Sequence, residues 1–214
     1  SDLKEDEATM RLRSLGALVS QKHDPKLVQN VDLVVMSSAI SKDNAEVEAA
    51  RNQGIPVIQR AEMLGELMRY RHGIAIAGTH GKTTTTSMIA EILSLANLSP
   101  TFVIGGILNS AGSGAVLGSG QHIVVEADES DQSFLNLKPL SSVITNIDRD
   151  HMDTYGQDFD RLKKSFIDFG NNLPFYGSAA LCIDDPNVLE IMPFISRRVL
   201  TYGFDSRAEF RAAE

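Results

Sequence analysis

Apolar and polar positions along the chain follow two periods, one typical of buried strands and the other of amphipathic helices. In the first third of the sequence, apolar runs predict strands at 31–36 and 55–58. Between and around them, the helical period predicts helices at 5–15, 44–53 and 61–70. Strands that alternate with helices in this way favour an α/β fold.

A second series of the same kind begins at Gly73. It opens with a strand at 74–77, a glycine-rich turn at 78–81 and a helix at 82–97. The elements predicted after these are a helix at 158–169 and strands at 101–105, 122–126, 142–147, 179–183 and 198–202. We expect a mainly parallel sheet in this part, a mobile loop over Ser110–Gly120, and a domain boundary near residue 72.

Composition and charge exclude several classes of protein. The 214 residues carry 20 Lys and Arg against 28 Asp and Glu, a net charge of −8 that matches a nucleic-acid backbone poorly. The single cysteine, Cys182, cannot form an internal disulfide. No apolar run approaches the ~18 residues of a membrane span, and no secretory leader pattern is present. We therefore expect a cytoplasmic protein.

The strongest chemical signal lies between the strand at 74–77 and the helix at 82–97. This loop has the sequence Gly78, Thr79, His80, Gly81, Lys82, Thr83, Thr84. Glycines and a helix N-terminus suit a phosphate group, Lys82 can reach its oxygens, and the Thr83 hydroxyl can bind Mg²⁺. The usual pattern has a glycine where Ile76 stands, so the motif is shortened. The alternative interpretation is a glycine-rich turn with a helix-capping threonine.

Two acidic segments follow predicted strands further along the chain. Glu126 ends the strand at 122–126 and is followed closely by Asp128, Glu129 and Asp131. At the end of a strand in such a fold, Glu126 suits a metal ligand, whereas the alternative is a solvated acidic loop. The segment 146–153 contains His151 among three aspartates, at the edge where open α/β sheets bind ligands.

These motifs closely resemble those of the Mur ligases of peptidoglycan synthesis. The resemblance rests on AGTHGKTTTT, EADESDQSF, TNIDRDHMDTYGQDF, NLPFYG and DDP, with VVMSSAI and DNAEV near the N-terminus. It implies that residues 1–72 are part of a Rossmann-like UDP-sugar-binding domain, and that 73–214 are the first part of a phosphate-loop, ATP-binding domain with a parallel sheet. Because the chain opens on Ser1 in a charged stretch, we expect a piece of a longer protein. The family's first glycine-rich turn and third domain are then missing, and the piece alone is expected to be inactive.

The resemblance also implies an activity. Within the family, the motifs are most similar to those of members that join L-alanine to the lactyl carboxylate of UDP-N-acetylmuramate, with ATP and an expected two Mg²⁺ ions. An acyl phosphate would form first and then react with the amine. Two alternatives stay open: a recycling ligase that joins a tripeptide to the same UDP-sugar, and a non-catalytic nucleotide-binding module.

The roles implied for individual residues follow the family motifs. Lys82 would contact the transferred phosphate, and Thr83 and Glu126 would bind one Mg²⁺. His151 would bind a second metal ion beside the substrate carboxylate. The remaining nucleotide contacts would be Gly78, Thr79, His80, Gly81, Thr84 and Asn146, and the UDP-sugar contacts would be Asp2, Ser37, Ser38 and Ala39. Some sister ligases carry a carbamylated lysine, for which Lys163 is the nearest candidate; we assign it no role.

Overall fold

The computed structural model describes residues 1–108 and 113–213. The chain divides into two compact units, Ser1–Met63 and Leu64–Glu214. The division falls inside a helix, α3, which spans Arg60–Met68. Residue 72, near which the sequence predicts a domain boundary, is the first residue of the strand that follows this helix.

The first unit is a small α/β segment. Its helices are α1 (Glu7–Ser14) and α2 (Ala45–Asn52), with a 3₁₀ turn at Pro25–Val28. Its strands, β1 (Val34–Met36) and β2 (Val57–Gln59), pair in parallel. Side chains that prefer helix N-termini begin each helical piece, because their oxygens accept N–H groups that have no partner within the helix. These caps are Asp6, Asp24 and Asn44.

The second unit is built on one eight-stranded sheet. Its strands are β3 (His72–Ala77), β4 (Thr101–Leu108), β5 (Ser113–Val116), β6 (His122–Glu126), β7 (Ser141–Ile144), β8 (Ser178–Cys182), β9 (Arg198–Gly203) and β10 (Phe210–Arg211). They lie in the order β10-β9-β8-β7-β3-β6-β4-β5. The helices α4 (Lys82–Leu95), α5 (Phe159–Asn171) and α6 (Pro186–Ile191) connect strands of this sheet. The predicted α/β class is confirmed.

One edge of the sheet corrects a prediction. The sheet is mixed, because β5 pairs with β4 in the antiparallel direction while the other neighbouring pairs are parallel. The expectation of a loop over Ser110–Gly120 is wrong for Ser113–Val116, which form β5; residues 109–112 lie outside the described residues. Glycine and serine are poor strand formers, so only the pairing with β4 reveals this strand.

The sheet buries apolar side chains on both faces. Along β3, Ala75 and Ala77 contact the same core cluster as α5 and α6, whereas Ile76 contacts the cluster beneath α4. This follows from the alternation of side chains along a strand. The aromatic stripe of α5 is core, as its spacing predicts: Phe166 and Phe169 are fully buried, and Phe134 stacks on Phe169 at 5.0 Å. Burial of each such side chain contributes roughly 1.5–3 kcal/mol to the free energy of unfolding.

The sheet order explains where functional side chains meet. Strand β3 is central, with β6 and β7 as its parallel neighbours. The carboxyl ends of all three therefore lie at one edge, and the segments after Ala77, Glu126 and Ile144 emerge together. Within the described part of the chain, no helix is long and apolar enough to cross a membrane.

Candidate functional site

The loop from Gly78 to Thr84, named here the β3–α4 loop, depends on glycine at two points. Gly78 has a φ of +139° and Gly81 a φ of +80°, values that disfavour other residues. A Cβ on Gly78 would lie 2.0 Å from the Thr145 hydroxyl oxygen, whereas a Cβ on Gly81 would meet nothing within 4 Å. The loop therefore packs tightly against the segment after β7 at its start and opens to free space at its end.

Residues after β7 fix the backbone of this loop. The Asn146 side chain accepts a hydrogen bond from the His80 N–H at 2.8 Å and donates one to the His80 carbonyl at 2.9 Å. The Thr79 hydroxyl accepts from the Asp148 N–H at 2.8 Å. Thr145, for which no role was predicted, donates to the same His80 carbonyl at 2.7 Å. Asn146, expected near the nucleotide, thus supports the loop itself.

The start of α4 is open to an anion. The helix begins at Lys82, and its N-cap, Gly81, has no side chain that could accept the first N–H groups. A helix N-terminus carries unpaired N–H donors and a partial positive charge. Thr83 and Thr84 lie exposed on the first turn, beside the free space at Gly81. This geometry suits a phosphate-like group.

Thr83 and Glu126 are in direct contact, as their predicted common role requires. The Thr83 hydroxyl lies 3.0 and 3.1 Å from the two carboxylate oxygens of Glu126. The Gly105 N–H donates to the same carboxylate at 2.7 Å, and a Cβ on Gly105 would lie only 3.1 Å from it. Among the described ion pairs, none involves Glu126. A hydroxyl and an unneutralised carboxylate side by side are suitable oxygen ligands for Mg²⁺.

Lys82 has a partner, Glu129, for which no individual role was predicted. Its ammonium nitrogen lies 3.0 and 2.9 Å from the carboxylate oxygens of Glu129, and it donates to the carbonyls of Gly78 and Thr79. Glu129 is only 2% exposed, and burial raises the pKa of its carboxyl group. The Tyr155 hydroxyl donates to the Glu129 carbonyl and anchors the backbone there.

The four acidic residues at the end of β6 and just after it avoid mutual repulsion by turning in different directions. Glu126 reaches Thr83, and Glu129 reaches Lys82. Asp128 and Asp131 are exposed, and their side chains accept the N–H groups of Ser130 and Ser133. The segment is therefore neither wholly a solvated loop nor wholly a binding motif.

His151 lies apart from these contacts. Its φ is +50°, its side chain is half exposed, and its ring lies 3.8 Å from the Asp150 carboxylate. Across residues 1–108 and 113–213, no three His, Cys, Asp or Glu side chains converge into a metal-binding group. The described contacts do not bring His151 to Thr83 or Glu126.

The remaining predicted residues have ordinary local contacts. The Asp2 carboxylate accepts a hydrogen bond from the Lys4 N–H. Ser37, Ser38 and Ala39 lie in the turn after β1, where the Ser37 hydroxyl accepts a hydrogen bond from the Ala39 N–H. Lys163 pairs with Glu190 at 2.8 Å and Asp160 at 3.1 Å, and these carboxylates raise the pKa of its amine. Since carbamylation needs a neutral amine, these pairs support assigning Lys163 no role.

Comparisons with known proteins agree over the whole chain. Residues 76–214 match the Mur ligase middle domain, and residues 1–72 match a model described as the Mur ligase family, catalytic domain. The chain is 61% identical over all 214 residues to the UDP-N-acetylmuramate–L-alanine ligase of Cupriavidus taiwanensis, and it spans 45% of that protein's length.

Two solved structures share the fold. The UDP-N-acetylmuramate-alanine ligase of Thermotoga maritima matches with a TM-score of 0.76 and 30% identity, over 94% of this chain and 45% of that one. The UDP-N-acetylmuramate:L-alanyl-gamma-D-glutamyl-meso-diaminopimelate ligase of Neisseria meningitides matches with a TM-score of 0.81 and 26% identity, over 93% of this chain and 67% of that one.

Proposed function

The chain belongs to the Mur ligase family, and from that premise we propose that it is part of an ATP-dependent ligase. The reaction is the joining of L-alanine to the lactyl carboxylate of UDP-N-acetylmuramate. The choice of these two substrates is supported by the 61% identity to a protein named UDP-N-acetylmuramate–L-alanine ligase. The observation that carries the chemistry is the contact of Thr83 with Glu126 beside the open start of α4.

The β3–α4 loop binds the ATP phosphates in this proposal. The backbone of Gly78, Thr79, His80 and Gly81 surrounds them, the first turn with Thr83 and Thr84 supplies N–H donors, and Lys82 neutralises charge on the transferred group. Asn146 keeps the loop in shape through its two hydrogen bonds to His80. The free space around Gly81 is the position for the phosphates.

One Mg²⁺ ion fits the residues present. Thr83 and Glu126 would bind it, because a hydroxyl and a carboxylate without a positive partner already lie in contact there. When bound, the ion neutralises negative charge on the phosphates. We keep His151 as the proposed ligand of a second ion on the family resemblance alone.

The proposed reaction balances in two displacements. A lactyl carboxylate oxygen attacks the γ-phosphorus of ATP, and ADP leaves. The amine nitrogen of L-alanine then attacks the acyl carbon, phosphate leaves, and the amine loses a proton to form the amide. Lys82 assists by stabilising negative charge on the transferred group, which typically changes rates by 10²-fold or more.

The two parts of the chain then divide the substrates. Residues 1–72 would belong to the UDP-sugar-binding domain, with Asp2 and the turn Ser37–Ala39 as contacts. Residues 73–214 would belong to the ATP-binding domain. Because the chain spans 45% of its relative's length, the activity is proposed for the full-length protein.

A second candidate function rests on one observation. The fold is also similar to that of the Neisseria ligase whose name includes a tripeptide, with a TM-score of 0.81. The recycling reaction would use the same UDP-sugar and ATP but a peptide amine. The acceptor therefore has to be tested directly.

The test is phosphate release by the full-length protein with Mg·ATP and UDP-N-acetylmuramate. We expect release that depends on L-alanine, with the UDP-N-acetylmuramoyl-L-alanine product identified by mass spectrometry. Release that depends on the tripeptide L-Ala-γ-D-Glu-meso-diaminopimelate and not on L-alanine would establish the second function instead. ADP binding without any turnover would indicate a binding module.

A further inference from the structure

The ammonium group of Lys82 has all its donors in use. It carries three N–H groups. One donates to the Gly78 carbonyl at 2.7 Å, one to the Thr79 carbonyl at 3.2 Å, and one pairs with the Glu129 carboxylate at 3.0 Å. Its side chain is only 15% exposed, so water does not readily supply a further partner. A phosphate oxygen can therefore bind Lys82 only by replacing one of these three acceptors.

Two of the three acceptors are fixed in place. The Gly78 carbonyl belongs to backbone that passes directly against Thr145, where even a Cβ would clash at 2.0 Å. Thr79 is held on both sides, because its N–H donates to the Asn146 carbonyl at 3.1 Å and its hydroxyl accepts from the Asp148 N–H at 2.8 Å. Displacing either carbonyl would require the loop to break these contacts.

The third acceptor can move. Glu129 contacts Lys82 through its side chain alone, so withdrawing this acceptor needs only side-chain torsions and leaves in place the backbone that the Tyr155 hydroxyl anchors. It is also the acceptor that a phosphate resembles most, because both offer anionic oxygens to the same ammonium group. Exchange at this position keeps Lys82 paired with an anion throughout.

We propose that Glu129 is a positioning residue that occupies the place of a phosphate oxygen at Lys82 and is displaced when the nucleotide binds. The inference rests on the proposed function for the nucleotide and adds a competing group to it. Before ATP binds, Glu129 holds the Lys82 ammonium group in place beside the loop, and this contact lowers the affinity of the protein for ATP. Loss of this competitor removes the fraction of molecules in which Lys82 is occupied.

The experiment measures the affinity of the full-length protein for the non-hydrolysable ATP analogue AMP-PNP, which retains a γ-phosphoryl group, by isothermal titration calorimetry in EDTA and again with Mg²⁺. Glu129→Gln keeps the shape of the side chain and removes its charge. We expect the Kd for AMP-PNP to fall by about three- to tenfold in both conditions. The control, Asp131→Asn, removes a charge from the same segment without a contact to Lys82, and its Kd should stay at the wild-type value.

A double-mutant cycle tests whether the effect acts through Lys82. In a Lys82→Ala background, Glu129→Gln should leave the Kd unchanged, because the competition no longer exists. Glu129→Asp, which withdraws the carboxylate by one methylene, should give a smaller gain in affinity and provides a second variant if the glutamine variant unfolds. Melting temperatures are compared for all variants, so that a variant that has lost its fold is recognised.

Two results would overturn the inference while leaving the proposed function intact. One is a Kd of Glu129→Gln that is unchanged or weaker in EDTA. The other is weaker binding only with Mg²⁺, which would make Glu129 a metal ligand. If the wild-type protein binds no AMP-PNP in either condition, the proposed function fails, and this inference fails with it.

Discussion

The segments after β6 and β7 both lie beside the β3–α4 loop, but they contact it with different chemistry. At the end of β6 and just after it, carboxylates contact loop side chains: Glu126 accepts from Thr83, and Glu129 pairs with Lys82. After β7, Thr145 and Asn146 contact the loop backbone through neutral groups. One segment controls the charge of the site, and the other controls its shape.

This difference has a physical reason. A site for a polyanion needs cations, so each carboxylate beside it must be neutralised by a metal ion, a lysine or a hydrogen-bond donor. Neutral amide and hydroxyl groups can fix a backbone without adding charge that repels the ligand. His151 lies outside both sets of contacts, and its role decides whether the second segment contributes charge as well.

Lys82→Ala tests the charged contacts, those made with the carboxylates at and after the end of β6, and has the largest expected effect. We expect kcat/KM of the full-length protein to fall on the order of 10²–10³-fold, because in the proposed reaction Lys82 stabilises charge that develops on the transferred phosphoryl group. Lys164→Ala, at an exposed lysine of α5, is the control and should keep wild-type activity. A folded Lys82→Ala variant with near-normal turnover would remove the phosphate-binding assignment.

Glu126→Gln tests the metal on the same side. Loss of a charged ligand should raise the Mg²⁺ concentration at half-maximal activity by about 10- to 100-fold, while UDP-sugar affinity stays constant. Asp128→Asn, an exposed neighbour, should leave the midpoint unchanged. A Glu126→Gln enzyme with the wild-type midpoint and maximal rate would return Glu126 to the role of a solvated acid.

His151→Ala tests whether the segment after β7, like the carboxylate of Glu126, also binds a metal ion. If His151 binds a second ion, activity should fall about tenfold and recover in part at high Mg²⁺. His72→Ala, at the opposite end of β3, is the matched histidine control. Activity that is insensitive to His151→Ala would confine this segment to a structural role.

Asn146→Ala tests the contribution of shape and has the smallest expected effect. Loss of the two bonds to His80 should weaken ATP binding by about fivefold, the equivalent of roughly 1 kcal/mol. The maximal rate should change little. His80→Ala leaves the backbone groups of His80 in place, so its effect on the KM for ATP should be smaller. An equal or larger effect of His80→Ala would show that the ring, not the backbone clamp, matters.

The elements could be predicted from the sequence because burial and helical periodicity are local patterns. The strand before Gly78, the helix from Lys82 and the strand that ends at Glu126 are confirmed at their predicted positions. The contact of Thr83 with Glu126 also follows from a parallel sheet, in which neighbouring strands end at one edge. The resemblance to the Mur ligases implied these two residues as partners at one Mg²⁺, and that metal role stays a prediction.

The short elements β5, α6 and β10 were not predicted. Strand β5 is recognisable only by its pairing with β4, and β10 has two residues, too few to show a period. For α6, the cap Asp185 and the following Pro186 were a local signal that could have revealed it.

Only the tertiary structure decided which acidic side chain turns inward. Asp128 and Glu129 are neighbouring carboxylates in the segment from Glu126 to Asp131, and the local sequence does not distinguish them. In the structure, Glu129 is buried against Lys82 and Asp128 is exposed. The clamp of Asn146 on His80 joins residues 66 positions apart in the same way. Such contacts depend on the turn after a strand and on the neighbouring strand, and neither is recorded in the local pattern of the chain. The sequence by itself determined the elements and the chemistry available at the sheet edge, and packing determined which of those groups meet.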